Sequence, residues 1–442
     1  MELSAGDLTM RGRRHVASQP RDSTRPAASA TAARTEMPKL RRPAREVFAE
    51  MYERKGLDAD WVDGKVFSLV YPTGRSDVDD VLIEANNAYL FENALNPLRF
   101  PSVSRMQREV VNMVSSLVNA PDGSGAGFTA GGTESILMSV LVSRERAKAE
   151  RGIERGNIVL PISAHPAFAK AAFYLGLEVR TTPLATDFTA DAGAVRDAVD
   201  KSTALIVGSA YGYPHGVIDP IEELSTLALS KNIPFHSDTC IGSFVLPFLE
   251  RLGHEVPPFD FRLPGVTQMS CDIHKYGYST KGASAIVYRD SAWLGHQVFD
   301  YDAWPSGRYR TGSVAGARAA SPIAAAWAIM TYLGEAGYTE LMGELMAITA
   351  AIRSGIEALE GLEILGAPRG PLLSFTSTTS DVYAIGDVMD ERGWHLNRVD
   401  RPPGLHMMIS PLHGAHVAAF LDDLAGAVAA HGVSRDAGVS YT

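Results

Sequence analysis

The chain has 442 residues, 45% of them hydrophobic, which suffices for a large core spread over two or three domains. A net charge of -10 argues against broad nucleic-acid binding, so no nucleic-acid partner is expected. The only two cysteines, Cys240 and Cys271, make no disulfide framework and match no zinc spacing, so no metal is expected and a reducing, cytoplasmic compartment is.

The first 45 residues stand apart. They carry ten Lys/Arg against four Asp/Glu, leaving 31 against 47 for the rest, and they have almost no apolar periodicity. A basic, Ser/Ala-rich, acid-poor start has the composition of a transit peptide. The expectation here is a disordered basic tail, or a start that precedes true initiation at Met37. Residues 46–100 read as an N-terminal helical segment, mostly helix over 47–95. Residues 103–118 repeat apolar side chains at helical spacing, with Val103, Met106, Val110, Val111, Val114 and Leu117 on one face. A loop over 119–127 then leads through Gly131, Gly132 and Thr133 into a helix over 136–150.

Short apolar strands and helices alternate from there. Strands are expected over 157–162, 178–182, 204–208, 233–238 and 266–270, and helices over 167–175, 192–200, 221–230 and 242–252. A further strand, 283–288, can run antiparallel. This alternation predicts an α/β fold with a mostly parallel central sheet covered on both faces by helices. The most apolar stretch, 319–333, contains Ser321 and Pro322 and is too short for a bilayer, so no transmembrane segment is expected. After Pro322 two helices, 323–333 and 338–359, precede short segments at 362–365, 373–378 and 405–409 and helices at 382–392 and 413–431. The expected organisation is a large domain over 101–322 and a smaller C-terminal α+β domain over 323–442.

In such sheets ligands bind beyond the carboxyl ends of the strands. Three chemically useful residues fall there: His165, Asp238 and Lys275. Lys275, 37 residues after Asp238, lies in Asp272-Ile273-His274-Lys275-Tyr276-Gly277-Tyr278. A lysine that holds an aldehyde as a Schiff base, with a carboxylate that keeps a pyridine nitrogen protonated, is what pyridoxal 5'-phosphate requires. Taken singly each residue has a plainer reading: solvated lysine, turn histidine, ordinary helix cap at Thr133. Together with Asp238 and Lys275, the turn Gly131-Gly132-Thr133 becomes the expected cradle for the cofactor phosphate. His165 is placed to stack on the pyridine ring. His274 can reach a phosphate or the reaction centre, and Lys281 an anionic substrate group.

These runs carry a family resemblance. Thr129-Ala130-Gly131-Gly132-Thr133-Glu134-Ser135, Ser163-Ala164-His165, Pro214-His215-Gly216-Val217-Ile218-Asp219-Pro220 and the Asp272–Tyr278 run resemble the sphingosine-1-phosphate lyases, fold-type I pyridoxal-phosphate enzymes of the group II decarboxylase superfamily. The match spans roughly residues 57–413. It implies Lys275 as the Schiff-base lysine, Asp238 as the pyridinium partner, His165 as the stacking residue, and Gly132 and Thr133, with His274 beside them, around the phosphate. It further implies Lys281 and Tyr213 near the reacting end of the substrate, and Tyr71 and Asn96 in the substrate site. Where the family has Asn-Pro-Leu-His this chain has Asn96-Pro97-Leu98-Arg99, so Arg99 stands in for a histidine; an arginine can bind phosphate through its fork. The resemblance implies a homodimer with shared active sites, Thr311 and Gly312 reaching the neighbouring cofactor phosphate. The implied reaction is retro-aldol cleavage of a phosphorylated sphingoid base to a long-chain aldehyde and phosphoethanolamine. The alternatives are an amino-acid decarboxylase on the same fold and a catalytically silent lipid-phosphate or cofactor-binding protein.

Overall fold

Short Ile-, Val- and Leu-rich runs, most of them followed by a helical stretch, build a seven-stranded sheet in the computed structural model, which describes residues 36–430. The chain separates into a unit ending at Asp58 and a second beginning at Ala59. In the first, helix α1 (Ala44–Lys55) has no buried residue, and its Glu50 pairs with Arg42 at 2.7 Å and with Arg54. The expected tail over 1–45 lies, for residues 1–35, outside the described residues, as does the end of the helix expected to reach His431.

The stretch 47–95, expected to be mostly helix, is helical only in part: residues 56–75 are irregular. The turn residues Gly64, Pro72 and Gly74 interrupt any helical period there. Helix resumes at α2 (Ser76–Ala88), then α3 (Pro101–Leu117), whose proline stands at the helix start, where its missing N–H costs nothing. The sheet strands are β1 (Gly125–Thr129), β2 (Asn157–Pro161), β3 (Glu178–Thr182), β4 (Thr203–Ser209), β5 (Phe235–Asp238), β6 (Gln268–Asp272) and β7 (Ser284–Tyr288). Their order is β1-β7-β6-β5-β4-β2-β3, and β7 runs antiparallel to both neighbours while β6, β5, β4, β2 and β3 pair parallel. Every residue of β2, β4, β5, β6 and β7 is buried, as a sheet covered on both faces requires.

Two strand boundaries matter for the site. Strand β1 forms where a loop was expected, because Gly125-Ala126-Gly127 shows no side-chain alternation, and it ends directly before the glycine turn that opens helix α4 (Gly132–Arg151). Strand β6 runs two residues further than expected, so that Asp272 closes it. The second helix on this face, α5 (Ala167–Leu175), follows His165. Its Phe168 joins Ile136 and Val140 of α4 and Ile158, Leu205 and Val207 of the sheet in one buried cluster.

The helix expected over 242–252 is a short 3₁₀ turn, Gly242–Phe244, followed by Leu246–Arg251, with Pro247 restarting the helix. Gly242 packs its Cα against strand β4's exit: a Cβ there would lie 1.9 Å from the Ala210 carbonyl oxygen. Gly242→Ala is therefore expected to push β5's exit off β4 and destabilise the fold by about 1–3 kcal/mol or more, measured by chemical denaturation. The two helices expected after Pro322 run as Ser321–Glu357, interrupted at Gly334, whose φ of 54° leaves the helical region. A four-stranded antiparallel sheet follows, Leu362–Ile364, Leu372–Ser377, Pro403–Met408 and Asn397–Asp400 in that order, and the helix expected from 413 begins at Val417 after a 3₁₀ turn, Pro411–His416.

Candidate active site

The carboxyl ends of β1, β2, β5 and β6 point the same way, and a cavity of about 660 Å³ opens beyond them. Its wall includes Gly131, Thr133, His165, His274 and Lys275, each shortly past a strand end, and Lys281, in the loop before β7, each expected from sequence. Volumes of this size suit a cofactor with a small substrate portion.

Lys275 Nζ lies 3.1 Å from Asp272 Oδ2, with 17% of the lysine side chain and 2% of the aspartate exposed. Burial penalises the Lys275 ammonium, but Asp272, Tyr71, Cys240 and Asp238 outweigh it and raise its pKa well above the ordinary lysine value. Burial likewise opposes the Asp272 carboxylate, yet Lys275 and His274 hold its pKa below normal. Asp272 was not singled out in the sequence. Its signal was the spacing Asp-x-x-Lys across the strand end, which brings positions three apart together.

Asp238 closes β5 and is 7% exposed. Its Oδ1 accepts from the Cys240 amide at 3.1 Å and from the Ser270 hydroxyl at 2.9 Å; Oδ2 receives no hydrogen bond from the described residues. Cys240 lines the cavity, and the Asp238 charge acts on both His165 and Lys275. His165 Nδ1 accepts from the Ala167 amide at 3.2 Å, and burial lowers its pKa, favouring a neutral ring. His274 Nδ1 donates to the Ala283 carbonyl at 2.7 Å, which turns Nε2 toward Asp272 Oδ2 at 3.8 Å; burial lowers its pKa as well.

Gly132 has no room for a side chain: a Cβ would lie 2.8 Å from both Asp272 Oδ2 and Cys240 Sγ. The twenty-residue helix α4 begins at this glycine, so its first unpaired amides sit at the cavity wall. Glu134 ties this turn in place, accepting from the Ala130 amide at 2.7 Å and from the Val314 amide at 2.8 Å.

At the other side, Lys281 Nζ donates to the His274 carbonyl at 3.2 Å and lies 4.5 Å from the centroid of the Tyr71 ring. Desolvation and then Lys275 lower its pKa to about 8. Tyr71 packs edge-on against Tyr276 at 5.2 Å.

The remaining expected residues stand elsewhere. Tyr213 is held against the C-terminal sheet, accepting from Asn397 Nδ2 at 2.6 Å with its ring 4.3 Å from that of His406. Asn96 and Arg99 are exposed in the turn before α3, where Asn96 Oδ1 accepts from the Leu98 and Arg99 amides at 3.0 and 3.2 Å. Thr311 and Gly312 lie at the end of a two-stranded hairpin, Phe299–Tyr301 with Tyr309–Thr311, just before Val314 and Ala315, which line the cavity.

A glycine turn on a helix start, a buried lysine, a strand-end carboxylate whose charge reaches it, and a neutral histidine in the same cavity fit pyridoxal phosphate. Comparison with known proteins agrees. Residues 59–378 match the pyridoxal-dependent decarboxylase conserved domain. The sphingosine-1-phosphate lyase of Arabidopsis thaliana is 39% identical over 390 residues, covering 87% of this chain and 72% of that protein. The structure of the Burkholderia pseudomallei sphingosine-1-phosphate lyase superposes with a TM-score of 0.86 at 37% identity, covering 90% of this chain and 93% of that one. The Lactobacillus brevis glutamate decarboxylase, at 20% identity and a TM-score of 0.77 over 90% of this chain and 96% of that one, shares the fold. Identity on that scale over most of both chains makes this chain a member of the sphingosine-1-phosphate lyase family of pyridoxal-dependent enzymes.

Proposed function

We propose that this protein is a pyridoxal-phosphate-dependent lyase that cleaves sphingosine 1-phosphate, or a closely related phosphorylated sphingoid base, to a long-chain aldehyde and phosphoethanolamine. The observation that carries this reading is the placing of two lysines with different surroundings in one cavity. Lys275 is paired to Asp272, while Lys281 sits over an aromatic ring near the opening with no carboxylate against it among the described residues. The first suits attachment of a cofactor and the second an anionic substrate group.

When bound, pyridoxal phosphate supplies a ring that accepts the electron pair of the broken Cα–Cβ bond. The chain's own residues do the rest. Lys275 Nζ would hold the cofactor aldehyde, Asp238 would accept the pyridine N–H, and neutral His165 would cover the ring. Gly131, Gly132 and Thr133 offer backbone amides and a hydroxyl to the cofactor phosphate. Lys281, Tyr71 and His274 face the reacting end and are the candidates to take the substrate hydroxyl proton; Tyr213 needs a shift away from Asn397 to join them. Asn96 and Arg99, in their exposed turn, are assigned to the substrate phosphate.

A homodimer accounts for the exposed aromatic hairpin, with Phe299, Tyr301 and Trp304 respectively 59%, 49% and 52% accessible, and for Phe91 at 91%. In that arrangement Thr311 and Gly312 reach the cofactor phosphate of the second copy. The reading also keeps the large domain at 101–322 and the small one at 323–442. No helix among the described residues is long and apolar enough to cross a membrane. The free thiols of Cys240 and Cys271 suit a reducing, cytoplasmic compartment.

The test is incubation of the purified holoenzyme with sphingosine 1-phosphate and, separately, with a panel of amino acids. Aldehyde from the first and no carbon dioxide from the second is the expected result; carbon dioxide alone identifies a decarboxylase. A charge-assisted contact to phosphate is worth about 1.5–3 kcal/mol, so Lys281→Ala should lower kcat/KM for the phosphorylated base roughly 10–150-fold while cofactor binding is retained. Because the Lys281 pKa is lowered to about 8, its charge is lost as pH rises through that value, and wild-type kcat/KM should fall there. Lys281→Arg should move that fall to higher pH.

A further inference from the structure

The alternation of β5 and β6 sends His236, Asp238, Gln268, Ser270 and Asp272 to the face covered by α4, and parallel register sets Asp238 directly opposite Ser270. Three of the polar groups on that face form an unbroken chain with a serine of α4. Ser139 Oγ of α4 is 2.7 Å from His236 Nδ1, His236 Nε2 is 2.9 Å from Ser270 Oγ, and Ser270 Oγ is 2.9 Å from Asp238 Oδ1. Ser139, His236 and Ser270 are fully buried.

We infer that Ser270 is a positioning residue for Asp238, its one hydroxyl proton committed to the carboxylate by the imidazole of His236. The inference rests on the role proposed for Asp238 and extends it to three residues that never touch the cofactor.

The direction of the chain follows from counting protons. A carboxylate can only accept, so Ser270 donates to Asp238 Oδ1. Having spent its proton, Ser270 must accept from His236, so Nε2 carries the imidazole hydrogen. Burial lowers the His236 pKa to about 4, so the ring is neutral and Nδ1 is bare. Nδ1 then accepts from the Ser139 hydroxyl. Every buried donor in the chain is satisfied in this one arrangement; reversal would make His236 Nε2 an acceptor and leave Ser270, with one proton, facing two acceptors, Nε2 and Asp238 Oδ1.

The neighbours fix the pieces in space. The Thr239 hydroxyl donates to the Ser270 carbonyl at 2.8 Å. Phe168 of α5 meets the His236 ring edge-on at 5.1 Å. The Ser139 carbonyl accepts from Ser143, whose hydroxyl in turn accepts from Gln268 Nε2 at 2.6 Å. His236 thus touches the helix that starts at the phosphate turn and the helix that follows His165, and it belongs to the strand that ends in Asp238, beside the strand that ends in Asp272. The two donors on Oδ1 turn Oδ2 outward as the oxygen for the pyridine N–H. The network sets which face of the carboxylate meets the ring.

The test uses holoenzyme of the wild type and of Ser270→Ala, Ser270→Thr and Asp238→Ala. Ser270→Ala should weaken pyridoxal phosphate binding, read by equilibrium dialysis, and lower kcat, each on the order of tenfold to a hundredfold, with KM within about twofold of wild type. Ser270→Thr, which keeps the hydroxyl, should recover most of both. Side-chain nitrogen shifts of histidine-labelled wild-type holoenzyme, with His236 identified by the signal lost in His236→Gln, should show the Nε2-protonated neutral ring near neutral pH. An Nδ1-protonated or doubly protonated His236 overturns the inference, as does Ser270→Ala with wild-type affinity and kcat. If Asp238→Ala is inactive while Ser270→Ala is unaffected, the positioning role fails alone. If Asp238→Ala turns over like wild type, the role of Asp238 fails with it.

Discussion

Lys275→Ala is expected to lose turnover by at least ~10³-fold and to lose the visible absorbance of a lysine-linked cofactor. The lysine is the one amine whose Nζ sits 3.1 Å from the buried Asp272, at the end of β6 and inside the cavity. Two effects would be mixed in that variant, because removing one partner of a buried ion pair leaves the other charge uncompensated, at about 3–5 kcal/mol. Lys275→Arg separates them. A guanidinium keeps a positive charge against Asp272 yet cannot form the link to the cofactor aldehyde, so this variant should be inactive and more stable than Lys275→Ala in chemical denaturation. The raised pKa of Lys275 adds a signature in time. In cofactor-free protein the amine is held as ammonium, and only the neutral amine attacks an aldehyde. Cofactor uptake by stripped enzyme should therefore accelerate as pH rises, about tenfold per unit while the ammonium predominates, followed by stopped-flow absorbance. A Lys275→Ala enzyme with wild-type lyase activity would remove Lys275 from the chemistry altogether.

How far the sequence revealed this site depends on the range of the signal. Strands β2, β4 and β5 were legible because each is a short apolar run with a helix after it, and the ends of such strands locate ligands in parallel sheets. That is why His165, Asp238 and Lys275 were found without any contact being known. Strand β1 was missed because glycines carry no pattern. The end of β6 was placed at Ser270 instead of Asp272, and this hid the partner of the lysine inside what read as a turn. Polar residues at the end of a strand look like loop until the neighbouring register is known. Tyr213 shows the opposite limit. Its partners Asn397 and His406 come from the second sheet, 184 and 193 positions away, and no local periodicity announces contacts of that separation. The chain from Ser139 to Asp238 was equally invisible: serines inside an apolar helix and strand read as filler, and only the parallel register turns them toward one another.

Asp238→Asn should fold, should bind pyridoxal phosphate, and should lose turnover by about 10²-fold or more. The geometry says how. Two donors, the Cys240 amide and the Ser270 hydroxyl, converge on Oδ1 at 3.1 and 2.9 Å. An asparagine must give its single carbonyl oxygen to those donors, since turning its amide toward them would set hydrogen against hydrogen. Its NH₂ group then takes the place of Oδ2 and points at the pyridine nitrogen. An N–H donor there is satisfied only by an unprotonated ring nitrogen, so the substitution does more than remove a charge: it selects the form of the ring that is the weaker electron sink. Losing one preorganised electrostatic partner of a reacting group typically costs on the order of 10²–10³ in kcat. The stability cost should be small, because both donors stay paired and the side chain keeps its volume. The diagnostic is the combination: cofactor retained, denaturation midpoint near wild type, kcat collapsed and KM little changed. Reconstituting the variant with a cofactor methylated at the ring nitrogen, which carries its positive charge permanently, should restore part of the turnover. Full activity in Asp238→Asn with natural cofactor seated would show that the aspartate only braces the end of β5.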